Sequence, residues 1–393
     1  MDLKTNMSFD DTEIAFSSKS NFALKKARLL FSAVGNPFLS KIATGSVKLG
    51  FALRLPIKGI IKNTVFEIFC GGETIEDSKL TIDTIGKYGV GTILDYSVEG
   101  EDDESAFEST AAETIRTIHN AKGNSNIPFC VFKPTGVAPF HVLEKIQAGK
   151  ELTTKDHEDF ERAKERIETI CKTAHEEDVP LLIDAEETWI QDPVDQIAYS
   201  MMAKYNKEKA IVYNTYQMYR VASLQNLKNG FMEAAKEGFY LGAKLVRGAY
   251  MEKERERAEK MNYPDPIQPN KQATDDDYNA ALKFCIDNKQ RVSVINCTHN
   301  EYSCYYLAML MEKHGMQKND SRAWFAQLYG MSDNISFNLA KAGYNVAKYV
   351  PYGPVKSVMP YLFRRADENT SVAGQSGREL TLIKQELKRR KAS

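Results

Sequence analysis

One pattern, repeated from about residue 90 to residue 353, leaves this chain few folds to choose from. Short apolar runs alternate with longer segments of helical period. The runs are "GTILDYSVEG" (91–100), "IPFCVFKPTG" (127–136), "VPLLIDAEE" (179–187), "KAIVYNTYQ" (209–217), "YLGAKLVRGAY" (240–250), "RVSVINCTHN" (291–300), "AWFAQLYGM" (323–331) and "YNVAKYVPYG" (344–353). Amphipathic stretches such as "DESAFESTAAETIRTIHNAK" and "DFERAKERIETICKTAHEE" lie between them. A near-continuous apolar run rich in β-branched residues is how a parallel strand covered on both faces reads. Eight such strands, each followed by helix, predict an α/β chain: a (β/α)8 TIM-type barrel over residues 86–393, preceded by an N-terminal helical arm over residues 1–85. A doubly wound open sheet competes, but it usually has fewer strands and for nucleotide work wants a glycine fingerprint. Neither G-x-G-x-x-G nor G-x-x-x-x-G-K-[ST] occurs here.

The arm is chemically distinct. Between Glu13 and Glu67 there is no acidic residue, while Lys19, Lys25, Lys26, Arg28, Lys41, Lys48, Arg54, Lys58 and Lys62 supply positive charge among apolar residues, as in "FALKKARLLF" and "KLGFALRLPIKGIIK". Such a segment either lies on an anionic membrane surface or packs on the main domain with its lysines facing water. The whole chain has a formal net charge of −1, which argues against a nucleic-acid binder. No apolar run reaches the length of a membrane span, and the acidic, polar N-terminus does not read as a signal or transit peptide. The six cysteines show no C-x-x-C and read as scattered thiols in a reducing compartment. Cytoplasm is the expected location, with peripheral contact at the inner face of the cytoplasmic membrane as a further expectation.

In a barrel enzyme the chemistry sits at the C-terminal ends of the strands. Polar residues collect at those positions: Asp95, Lys133, Asp184 with Glu186 and Glu187, Gln217, Arg247, Thr298 with His299 and Asn300, Gln327 and Tyr352. Each alone is as easily a satisfied loop residue; together they point to one mouth. A zinc-type site is not expected, because His299 is the only histidine at a strand end and no H-x-H or H-E-x-x-H occurs. Cys297, two residues from His299, has no further orienting group and reads as a packed thiol. Glycoside hydrolysis through Glu186 or Glu187 needs a second acid at matched separation. What remains is a mouth of Lys, Arg, Tyr and amide side chains, suited to an anionic cofactor that performs the chemistry and a small anionic substrate. Near the C-terminus "YLFRRADEN" (361–369) places Tyr361, Arg364, Arg365 and Glu368 on one face of a helix, a possible carboxylate clamp or a solvated surface with one ion pair.

The motifs "VFKPTG", "LLIDAEE", "YNTYQMY", "KLVRGAYMEKER", "TDDDYNAAL", "CTHN", "YVPYG" and "YLFRRADEN" occur in that order in the proline dehydrogenase family. The chain resembles that family over roughly residues 85 to 372, and "AKLVRGAY" and "YGVGTILDYSVEG" look closer to the monofunctional, mitochondrial-type members. The resemblance implies non-covalent FAD, oxidation of L-proline to pyrroline-5-carboxylate by hydride transfer to flavin N5, and a membrane quinone as the next acceptor. It also implies that Arg364 and Arg365 grip the substrate carboxylate, assisted by Lys133. Tyr250, Tyr352 and Tyr361 then wall the ring, with Asp184 an acidic member of the pocket. Flavin contacts are implied for Gln217, Lys244, Arg247, Gly248, Ala249, Lys271, Thr298, His299, Asn300 and Glu368. Lys244 stands where bifunctional bacterial members carry arginine, as is usual in the mitochondrial-type group. No metal is implied. Hydroxyproline dehydrogenase on the same scaffold is the alternative, and Tyr352 favours plain proline because family members preferring hydroxyproline tend to lack it. A metal-dependent hydrolase and a non-catalytic lipid-surface protein remain as other classes.

Overall fold

The computed structural model describes residues 7–34, 45, 57–98, 103–371 and 375–392, without the side chains of residues 33, 34, 365–371, 375 and 376. Lys41, Lys48 and Arg54 of the basic stretch, and the side chains of Arg365 and Glu368, lie outside the described residues.

Eight parallel strands close into a barrel in sequence order: β1 (Val90–Tyr96), β2 (Phe129–Phe132), β3 (Leu181–Ile183), β4 (Val212–Gln217), β5 (Leu241–Val246), β6 (Val292–Cys297), β7 (Ala323–Leu328) and β8 (Val346–Tyr352). This is the (β/α)8 architecture that the repeated pattern predicts. The strands are shorter than the apolar runs that announce them, for local reasons. Pro134 has no backbone donor for a ladder, so "KPTG" leaves β2 and forms the short turn Pro134–Gly136. After β3 the segment "DAEE" leads to the helix Thr188–Tyr205, which begins at the next residue. The polar residues therefore fall at the strand ends or in the segments just past them.

The chain divides into two compact units, Glu101–Ala326 and Asn6–Gly100 with Gln327–Ser393. In the first, neighbouring strands pair in register, Cys130 with Leu181, Leu181 with Val212, Tyr213 with Gly242 and Lys244 with Ile295. Phe129 meets Tyr213 and Trp324 edge-on at centroid distances of 5.6 and 5.2 Å. Its helices start where short polar side chains satisfy free backbone amides. Thr153 and Asp156 cap each other reciprocally at Thr154–Glu176, while Asn270 caps Lys271–Asp287 and Asn300 caps Glu301–Lys313.

In the second unit β1 and β8 pair along their full length, from Val90 with Val346 to Tyr96 with Tyr352. Part of the arm belongs to its core. The helix Asn21–Val34 buries Leu24, Ala27 and Phe31 in a cluster with Val358, Leu362, Leu382 and Ile383. Each such large aliphatic or aromatic side chain contributes about 1.5–3 kcal/mol on leaving water. The basic residues of the arm do not all face solvent as the packed-arm alternative supposes. Lys19 reaches inward to Asp333 at 3.1 Å, Lys26 pairs with Glu67, and Lys58 and Lys62 flank Glu73 at 3.0 and 2.7 Å. Contact with Lys62, then Lys58, outweighs partial burial and draws the Glu73 carboxyl down to about 2. Phe22 and Leu29, on the opposite side of the helix, stay exposed.

Candidate active site

In the first unit, the cationic groups at the strand ends are held by acids from neighbouring elements. Lys244, in β5, is buried and forms an ion pair and hydrogen bond with Asp184, just beyond β3. One residue past β5, Arg247 donates to Asp275 Oδ1 at 2.7 Å, to Thr298 Oγ1 at 2.5 Å and to Ser303 Oγ at 3.1 Å. Its guanidinium also lies 4.3 Å from the centroid of the Tyr278 ring. Four side chains on two helices and the β6 end thus hold it. Lys271, the first residue of the helix Lys271–Asp287, pairs with the same Asp275 and keeps most of its side chain in solvent.

Gly248 and Ala249 follow as exposed residues. Gly248 has φ +135°, and a Cβ there would overlap the Tyr219 ring, so only glycine fits the turn out of β5. After β6, Thr298 is buried and His299 half-buried. Asn300 accepts from Ser303 N at 3.0 Å, while its own N–H donates to Thr298 Oγ1 at 3.1 Å. The chain thereby turns directly into the N-terminus of the helix Glu301–Lys313. Cys297 remains a thiol, since burial pushes its pKa up to about 12 despite the nearby charge of Lys244.

A second cluster in this unit centres on Glu186. Thr135 donates to its carboxylate from hydroxyl (2.7 Å) and amide (3.3 Å), Tyr250 donates from its phenol (3.3 Å), and Gln217 Nε2 donates to its carbonyl at 2.6 Å. Lys133, half-buried two residues before Thr135, adds attraction by charge. Sequence reasoning names Glu186 at the rim and weighs it only as a glycosidase acid. It also passes over Asp275, Ser303 and Tyr278, whose only signal is helical spacing within "TDDDYNAAL" and beside "CTHN".

In the second unit, Tyr352 closes β8, wholly buried, with its ring 5.4 Å from that of Tyr96. Tyr361 is buried and Arg364 half-buried on the helix Val355–Ser371, which also carries Arg365 and Glu368. Among the described residues no group of three His, Cys, Asp or Glu side chains is disposed to hold a metal.

The donors in the first unit suit a dinucleotide diphosphate: an arginine fixed in place, a helix N-terminus beside it, a histidine, and a lysine at the head of a second helix. The family model for proline dehydrogenase matches residues 79–378. The chain belongs to the proline dehydrogenase family. Membership makes it an enzyme of the oxidoreductase class.

Among its relatives in the family, proline dehydrogenase 1, mitochondrial, of Dictyostelium discoideum is 34% identical, over 97% of this chain and 74% of that protein. Hydroxyproline dehydrogenase of Xenopus laevis is 30% identical, over 98% of this chain and 90% of the relative. The crystal structure of proline utilization A from Bdellovibrio bacteriovorus, inactivated by N-propargylglycine, superposes with a TM-score of 0.72 at 18% identity. That match covers 95% of this chain and 38% of the larger one, and it supports the barrel fold.

Proposed function

We propose that this chain oxidises L-proline to pyrroline-5-carboxylate with non-covalently bound FAD and passes the electrons to a membrane quinone. One observation carries the reading: within a chain matched to the family over residues 79–378, the fixed cations and amides stand at strand ends. Gln217, Lys244, Arg247, Gly248, Ala249, Lys271, Thr298, His299, Asn300 and Glu368 would hold the flavin. Bound FAD would supply the two-electron acceptor. The chain's own residues bind and orient. Arg364, Arg365 and Lys133 take the proline carboxylate, each charge-assisted hydrogen bond contributing about 1.5–3 kcal/mol. Tyr250, Tyr352 and Tyr361 enclose the apolar ring and exclude water, and Asp184 holds Lys244 in place. Substrate orientation is then the main demand on the protein, without an enzymic acid or base at the reacting carbon.

The test is spectroscopic. Purified protein should carry a flavin absorbance that bleaches anaerobically on addition of L-proline and returns with a soluble quinone. A colourless protein, or a flavin unchanged by proline, refutes the reading. The hydroxyproline alternative draws on the Xenopus relative. Against it stands Tyr352, a buried ring 5.4 Å from that of Tyr96, because the resemblance ties a tyrosine at this position to plain proline. Substrate kinetics decide between them.

No described helix is long and apolar enough to cross a membrane. We assign quinone access to the basic arm, residues 1–85, docking the barrel of residues 86–393 on the inner face of the cytoplasmic membrane. No nucleic acid is involved. Exposed Phe22 and Leu29 flank Lys25 and Arg28 on one helix, the mixture an anionic lipid surface attracts. Sedimentation with anionic vesicles should be salt-sensitive and lost when the exposed Phe22, Lys25, Arg28 and Leu29 are together replaced by serine, a change that leaves the arm's core residues in place; sedimentation that survives this replacement removes the arm from the account.

A further inference from the structure

Near the end of the arm, residues 71–73 pair with the tail of β8. Gly71 N donates to Pro351 O at 2.8 Å, Gly72 bridges to Tyr352 in parallel, and Gly353 N donates to Gly72 O at 3.2 Å. The approach is close enough to need glycine, because a Cβ on Gly71 would lie 2.6 Å from Val350 Cγ1. The next residue, Glu73, has a mostly covered carboxylate that meets the start of the helix Val355–Ser371, just past Gly353. Its Oε2 accepts from Val355 N at 3.4 Å and pairs with Lys58 Nζ at 3.0 Å, while Oε1 accepts from Lys62 Nζ at 2.7 Å.

The helix needs that acceptor. Its first carbonyl comes from Pro354, which accepts from Val358 N at 3.1 Å but has no side chain able to cap the free amides. Pro360, inside the helix, brings no N–H to the carbonyl four residues before it, so the first turns keep fewer bonds of their own. A carboxylate at a helix start also meets the positive end of the peptide dipoles, so charge as well as a long hydrogen bond holds Glu73 at Val355. We propose that Glu73 is a positioning residue for the substrate-carboxylate clamp, setting the start of the helix that carries Tyr361, Arg364 and Arg365 relative to Tyr352. Those four residues take their roles from the proline reading, on which the inference rests.

The lever is geometric. Tyr361 and Arg364 lie six and nine residues past Val355, roughly 9 and 14 Å along the helix axis. A tilt or slide at the start is carried along that axis to the clamp. Tyr352 stays where it is, held by the bridge to Gly72 and by Ser97 N, which donates to its carbonyl at 3.1 Å. The separation of clamp and tyrosine is the span that a substrate's carboxylate and ring must match. Lys58 and Lys62, on helical residues 58–69 of the arm, keep much of their side chains in solvent and hold the carboxylate from the other side. Contact with Lys62, and less so with Lys58, outweighs partial burial and keeps Glu73 charged, so the anchor persists across the range in which proline loses its amine proton.

The experiment measures kcat and KM for L-proline, and the inhibition constant of cyclopentanecarboxylate, in flavin-loaded wild type, Glu73→Gln and the double variant Lys58→Met/Lys62→Met. Cyclopentanecarboxylate keeps the ring and the carboxylate but has no amine to oxidise. Glu73→Gln should raise KM and the inhibition constant together by about fivefold, the scale of one helix cap, with kcat within about twofold of wild type. The double variant should raise both constants by about threefold, since the carboxylate keeps its charge and loses its supports. An unchanged KM in Glu73→Gln, or a KM that rises while the inhibition constant does not, overturns the role of Glu73. A fall in kcat alone does so too. If Glu73→Gln retains no flavin, the double variant decides: a parallel rise in both constants upholds the role, and wild-type constants overturn it. A flavin-loaded wild type inert to proline overturns the proline reading itself, and the clamp with it.

Discussion

Replacing Lys348 with methionine tests the buried charge cluster of the second unit. The Lys348 ammonium, wholly buried on β8, lies 2.9 Å from Asp333 Oδ1, 2.5 Å from Met331 O and 3.4 Å from Leu328 O. Asp333 also binds Lys19 at 3.1 Å, and Glu379 accepts from Ser332 N beside it. Burial lowers the Lys348 pKa overall, although the charge of Asp333 opposes that shift. With an effective dielectric near 20, opposite charges 2.9 Å apart attract by about 6 kcal/mol, and desolvation of the two ions offsets much of this. Removing one partner leaves the other carrying its desolvation cost with less compensation, so Lys348→Met should destabilise the fold by about 3–5 kcal/mol. Asp333→Asn in the same background should return at least about 1 kcal/mol, because the two sites share one network. Urea unfolding of wild type, both single variants and the double variant, followed by circular dichroism, measures the coupling. If Lys348→Met moves the midpoint no further than a surface substitution, or the two effects simply add, this account of the cluster is wrong.

Three further outcomes are expected. Glu379, buried beside Asp333, has its carboxyl raised by burial and by that charge to about 7 from 4.5. The folded state therefore holds a proton that the unfolded state releases, and stability declines as pH rises from about 4.5 through 7. Glu379→Gln should gain about 3 kcal/mol on wild type across that window in pH-dependent unfolding, and a constant difference would contradict this. Arg364→Met and Arg365→Met should each raise the KM for proline tenfold or more, while flavin content measured by absorbance is retained; unchanged KM in both places the clamp elsewhere. Tyr352→Ser should shift the ratio of kcat/KM values toward hydroxyproline by making room for its hydroxyl, and equal ratios in variant and wild type would remove Tyr352 from substrate choice.

The barrel was legible because each strand is covered on both faces, so β1, β4 and β8 lie in near-continuous buried runs despite a few polar residues. Residues one or two places past a strand, such as Arg247 and Thr298, were legible for the same reason: strand ends are fixed by pattern. Glu186 was visible only as one of two adjacent acids. Nothing in "DAEE" says that the first of the pair turns inward to Thr135 and Tyr250 while Glu187 pairs with Lys253, since those partners come from other strand ends. The arm misleads in a similar way. Nine cations without an intervening acid look solvated, and Lys58 and Lys62 do stay exposed beside Glu73, but Lys19 and Lys26 are largely covered where they meet Asp333 and Glu67.

Local order along the chain determined the architecture, because hydrophobic period and strand count are properties of neighbouring residues. Eight apolar runs separated by helical segments admit a closed parallel barrel and few other arrangements. Which charges neutralise one another was decided only in three dimensions. Lys19 and Asp333, or Arg247 and Asp275, are separated by tens to hundreds of residues and acquire their energies from distance and burial, which no spacing in the sequence encodes.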